Sequence, residues 1–172
     1  MTALVDPATA GPRGTGTPVA EPAASGVVVL RLGASRYAIP LTDVAEVAPV
    51  PPVTRLPGTP SWLPGVANWR GRMLPVLDLR PLLGADVVPL ATSARLLVVS
   101  RGELVVALVV ELVPGVFDAQ LGDLQPPPPT LGGDAARLVL GQACDGAGPF
   151  AVLDVEAVLA LRDRLDRRRS SA

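Results

Sequence analysis

The chain has 172 residues, 49% hydrophobic and 18% charged, with a formal net charge of −1. This length and apolar content suit one domain, or two small intimately packed ones, with a core of its own, and the near-neutral balance offers nucleic acid no electrostatic footprint. All 15 basic residues are Arg, there is no His, and Cys144 stands alone, which excludes triad chemistry, imidazole metal ligands, a P-loop lysine and a Schiff base and leaves only carboxylate chemistry, unassisted Ser or Thr chemistry and a lone thiol; no metal or cofactor is expected.

Residues 1–25 are rich in Pro, Ala, Gly and Thr; they bury too little to offset their ordering entropy and read as a disordered tail. They lack the basic start and apolar stretch of a secretion signal. The longest aliphatic run, residues 104–110, is far short of the ~18 residues of a membrane span, so a cytoplasmic protein without direct membrane insertion is expected.

From Gly26 the texture changes. "VVVLRL" (27–32) and "RYAIPL" (36–41) around Gly33 predict a β-hairpin, and "TDVAEV" (42–47) predicts a short helix with Thr42 as its N-cap. "VTRLP" (53–57), "GVANWRG" (65–71) and "MLPVLDL" (73–79) each suit a short strand. Asp78 is placed to cap a one-turn helix that tolerates Pro81 in its first turn and stops at Gly84. A second hairpin follows at 94–110, then "GVFD", a proline-rich loop at 125–133, strands over 137–144 and 149–154, and a terminal helix over 155–168. Cys144 reads as a small core residue. The Arg-rich end, residues 166–172, reads as a basic tail beyond a domain at 26–165.

The chain resembles itself. An offset of 76 residues places Gly65 on Gly141, Ala67 on Ala143, Val76 on Val152, Leu77 on Leu153 and Asp78 on Asp154. An offset of 69 pairs Gly33 with Gly102, Ala38 with Ala107, Val44 with Val113 and Val47 with Val116. The fold expected is mainly β, two copies of a five-stranded barrel-like unit. Where the first copy reads "NWRGRM" the second reads "CDGAGP", so the fold does not demand Trp69, Arg70 or Arg72. Read alone, these residues leave two options: a solvated polar turn, or a recognition surface, since Trp and Arg are enriched at hot spots and Trp62 lies seven residues from Trp69. Asp78 and Asp154 suit helix caps better than a carboxylate dyad of glycosidase type.

"GVANWRGRMLPVLDLR" resembles the signature of CheW-like domains, the coupling proteins of bacterial chemotaxis, and the resemblance continues through "YAIPLTDVAEV", "VTRLPGTPSWLPGV" and "QPPPPTLG". It implies two intertwined SH3-like five-stranded barrels and a non-enzymatic adaptor. The partners implied are the cytoplasmic hairpin tip of chemoreceptors and the regulatory domain of a CheA-type histidine kinase. The resemblance carries receptor or kinase binding to Asn68, Trp69, Arg70, Val44 and Glu46, and a structural turn to Gly65 and Gly71. Trp69 stands where the family pattern has Leu, and the C-terminal Arg run lies outside that pattern. A divergent scaffold or inhibitor in another kinase pathway, such as gliding or pili, is the alternative.

Overall fold

The computed structural model describes residues 26–118, 121 and 124–169; the expected tail at 1–25 lies outside them. Among the described residues ten strands form two sheets. They are β1 (Val27–Leu32), β2 (Ser35–Pro40), β3 (Val44–Pro49), β4 (Gly65–Trp69), β5 (Arg72–Leu77), β6 (Arg95–Arg101), β7 (Leu104–Val110), β8 (Leu112–Phe117), β9 (Val139–Asp145) and β10 (Gly148–Leu153). Three helices accompany them: α1 (Arg80–Leu83), α2 (Gly133–Leu138) and α3 (Val155–Arg169). The order is β8-β1-β2-β10-β9 in sheet A and β3-β6-β7-β5-β4 in sheet B.

Neither sheet is one copy of the repeat. Each takes a hairpin from one half of the chain and three strands from the other, so the two SH3-like units are intertwined. The joints obey the repeat: β10 pairs parallel to β2 through Val152 and Ala38, and β5 pairs parallel to β7 through Val76 and Ala107. Gly65 and Gly141 are equivalent as well. A Cβ on Gly65 would stand 2.1 Å from the Thr54 carbonyl oxygen, and one on Gly141 would stand 2.6 Å from that of Gln125. Both glycines let an incoming segment bridge to the next residue, Thr54 to Val66 and Gln125 to Gln142.

The runs of consecutive apolar residues follow from burial of both strand faces. Alternate residues of β1 serve different cores: Val28, Leu30 and Leu32 join the large cluster shared with β5, β6, β7 and α3, while Val27 and Val29 join a smaller one with Phe150 and Val152 inside sheet A. Sheet B has its own small core of Ala67, Leu74, Val76, Leu96 and Val98. The middle of β7 likewise buries Val105 to Val110 without a break.

Five local expectations are corrected. Residues 44–49 form β3 and not a helix; only Leu41–Asp43 make a 3-10 turn, capped by no side chain. Alternating half-buried and exposed residues in β3 pair with β6, and such pairing outweighs the propensity of a six-residue window. Residues 53–57 contribute only the Thr54 bridge. Helix α2 occupies the stretch before β9. Cys144 is exposed, because the period of β9 turns it away from Ala143, which packs against the sheet A core. Helix α3 runs to Arg169, so the backbone of residues 166–169 is helical.

Candidate partner-binding site

The hairpin between β4 and β5 pairs Trp69 with Arg72, leaving Arg70 and Gly71 as a two-residue loop. Both have positive φ, 50° and 80°, as a type I′ turn requires to match strand twist. Gly71 accepts this freely, whereas an L side chain in the left-handed region costs roughly 1 kcal/mol or more. Among the described residues Arg70 is the only non-glycine with positive φ. Asn68 holds the turn from below: its Oδ1 accepts the Gly71 N–H at 2.9 Å.

Sheet B curls until side chains of its two edge strands meet. Glu46 on β3 receives on one oxygen, Oε2, the Trp69 Nε1–H at 2.7 Å and the Arg70 Nε–H at 3.0 Å, with Arg70 Nη2 also 3.0 Å away. The Arg70 guanidinium carbon lies 5.4 Å from the centre of the Trp69 ring, within cation–π range. The Trp69 N–H first, and the Arg70 guanidinium after it, holds the Glu46 carboxyl below its ordinary 4.5. The Arg70 side chain is nevertheless 71% exposed. Its Nε–Nη2 edge is occupied by Glu46, and its Nη1 has no partner among the described residues, so the planar fork points outward.

An apolar strip adjoins the tip. Met73, opposite Asn68, is 58% exposed, and Leu104 is 40% exposed. Counting back along the parallel register of β5 and β7 sets these two level with each other. Sequence reasoning missed both; the outward parity of β5 and β7, once their register is known, finds them.

The structure does not gather every expected residue at this tip. Val44 leans onto the shared core, while Ala45, Val47 and Pro49 face outward from β3. Trp62 packs against the shared core and its carbonyl accepts the Asp78 N–H at 2.9 Å, so the two tryptophans do not form one surface. Asp78 accepts the Arg80 N–H at 3.1 Å, but its larger task is ion pairing. Arg80 is only 3% exposed. It clasps Asp78 through Nη2 at 2.8 Å and donates through Nη1 to the Val88 carbonyl at 2.8 Å and to Glu111 at 3.1 Å. That guanidinium ties the linker between the halves to the point where the chain leaves sheet B for sheet A.

The equivalent tip of sheet A is built otherwise. There Asp145 takes a two-pronged bond from Arg36, at 2.8 and 2.6 Å, and Arg36 also donates to the Gly148 carbonyl at 2.9 Å. The carboxylate is consumed within the fold, and its cation lies inward over Phe150.

The model of the CheW-like domain matches residues 26–163. The chain belongs to the CheW-like domain family. Protein PilI of Pseudomonas aeruginosa is 41% identical over 86 residues, covering 50% of this chain and 48% of that protein. Protein FrzA of Myxococcus xanthus is 40% identical over 106 residues, covering 62% and 65%. Chemotaxis protein CheW of Klebsiella aerogenes is 28% identical over 133 residues, covering 77% and 80%. The chain thus spans about half of the PilI protein and just under two thirds of FrzA. The crystal structure of scaffolding protein TtCheW from Thermoanaerobacter tengcongensis superimposes with a TM-score of 0.69 at 26% identity, covering 76% of this chain and 84% of that one. No helix among the described residues is long and apolar enough to cross a membrane.

Proposed function

We propose that this CheW-like protein is a non-enzymatic, cytoplasmic adaptor that couples the cytoplasmic hairpin tip of chemoreceptors to the regulatory domain of a CheA-type histidine kinase, recruited to membrane-associated receptor arrays. The β4–β5 tip is the receptor-facing surface. The observation that carries this is Arg70, held in a strained turn that the fold does not need and left with an outward fork beside exposed Met73 and Leu104. A helix offering a carboxylate next to aliphatic side chains complements it. Retained backbone strain at an exposed cation is the mark of a site kept for binding.

A second reading is favoured by the identities, which are higher to PilI and FrzA than to the chemotaxis protein CheW. In it the same adaptor serves another kinase pathway, such as gliding or pili, as a divergent scaffold or inhibitor without receptor coupling.

The test is titration of the protein against a receptor-tip fragment and a CheA-type regulatory domain from the same organism. Arg70→Ala should weaken receptor binding by about 2 kcal/mol, roughly thirtyfold, and leave kinase binding in place. Arg70→Gly, which occupies a positive φ without strain, controls for stability. A twofold change or less from either variant would make the tip a solvated turn. Kinase binding without receptor binding by the wild type would favour the second reading.

A further inference from the structure

We propose that Trp69 is a positioning residue, fixing Glu46 with its indole N–H and Arg70 with its ring face so that only the Nη1–Nη2 edge of Arg70 meets a partner, as a carboxylate approaching end-on requires. This rests on the tip being the receptor-facing surface and goes beyond it by naming what sets the tip's geometry.

Three observations converge. Trp69 is half-buried and packs against the core of sheet B, so it is anchored where Arg70 is not. Its Nε1–H makes the shortest bond to Glu46, 2.7 Å against 3.0 Å from Arg70 Nε, and needs no charge to do so. Its ring lies under the guanidinium at 5.4 Å. Arg70 by itself is a long side chain on a turn, and an exposed ion pair with Glu46 would fix it poorly. With one oxygen of Glu46 already claimed by an anchored donor, Arg70 has a stationary acceptor for its Nε–Nη2 edge and a plate beneath it. What remains is the outer edge, whose two parallel N–H directions match the two oxygens of one carboxylate. Leu at position 69 offers neither the donor nor the plate.

The experiment compares Trp69→Leu and Trp69→Phe with wild type in two measurements. The first needs no partner: nitrogen–proton NMR of the Arg70 Nε–H and of the two indole N–H groups. In the wild type a protected Arg70 Nε–H signal is expected, and Glu46→Gln should shift one indole signal while the core-packed Trp62 signal stays. Trp69→Leu should lose the Arg70 Nε–H signal, and Trp69→Phe, which keeps the plate, should retain it. The second measurement is affinity for the receptor-tip fragment. Trp69→Leu should approach the roughly thirtyfold loss expected of Arg70→Ala, Trp69→Phe should fall between, and the Trp69→Leu/Arg70→Ala double variant should bind no worse than Arg70→Ala alone. Persistence of the Arg70 Nε–H signal in Trp69→Leu, or losses that add in the double variant, would overturn the assignment. If wild type does not bind the fragment, the adaptor reading fails while the NMR arm still decides the role of Trp69.

Discussion

The two hairpin tips occupy equivalent places in a repeated fold and do opposite things with charge. At 145–148 the cation comes from inside sheet A, from Arg36 on β2, and meets its carboxylate at a site where both side chains are less than a fifth exposed. At 68–72 the cation sits on the turn itself and its carboxylate is anchored from the far edge of the sheet, so the pair faces outward. The first tip spends its charges on holding a hairpin; the second spends backbone strain on presenting one. Since the scaffold beneath is shared, the difference isolates what the fold needs from what a partner needs.

If that division is right, the largest effects of substitution should fall on shared positions and be similar in both halves. Gly65→Ala and Gly141→Ala each drive a methyl group into a neighbouring backbone carbonyl that cannot swing aside, at 2.1 and 2.6 Å. Each should cost about 3 kcal/mol or more, the upper end of overpacking penalties, or prevent folding. Urea denaturation checks this, and tolerance of alanine at one glycine but not the other would break the equivalence of the halves.

Next in size is a position where the halves diverge inside the fold. Asp78 and Asp154 are equivalent, and each accepts the N–H two residues on, at 3.1 and 2.9 Å. Only the first has a buried partner: Arg80 is 3% exposed, while Glu156, its counterpart, carries a side chain 77% exposed. Arg80→Met should therefore destabilise by about 3 kcal/mol or more by stranding Asp78, whereas Asp154→Ala should cost only about 1 kcal/mol as a lost cap. Equal effects in denaturant melts would show that the Arg80 node contributes nothing beyond capping.

Much of this was legible in the sequence. The hairpins at 27–41 and 94–110 announce themselves by β-branched runs around Gly33 and Gly102, and the two offsets of the repeat together relate the first half of the chain, β1 to β5, to the second, β6 to β10. Asn68, Arg70 and Gly71 are neighbours in the chain, so their turn could be read there too. Glu46 could not be joined to Trp69 from residues alone. The two lie 23 positions apart on opposite edges of sheet B, and only strand order and curl bring them together; the family resemblance pointed to both without showing that they touch. The same non-local pairing explains the errors. Residues 42–47 looked helical in isolation because the strand partner of β3, β6, lies some fifty residues on. Cys144 looked buried because parity within β9 depends on a register that one sequence does not reveal.

The smallest expected effect separates the tips by acidity. Arg36 first, with the Ala147 and Gly148 N–H groups assisting, holds the Asp145 carboxyl down from 3.8 to about 2. Because this value is depressed in the folded chain, the stabilising contribution of Asp145 is complete above the ordinary 3.8 and is lost as pH falls through about 2. Glu46 is lowered as well, but its leading cause is the uncharged Trp69 N–H, so the two carboxylates should answer differently when their arginines are removed. In a carboxyl NMR titration Arg36→Met should return most of the Asp145 shift, while Arg70→Gly should leave in place the part of the Glu46 shift that the Trp69 N–H causes, and adding Trp69→Phe should take that part away. If Arg70→Gly alone restored Glu46 to its ordinary value, the outward tip would be an ordinary ion pair like the inward one, with Trp69 merely its neighbour.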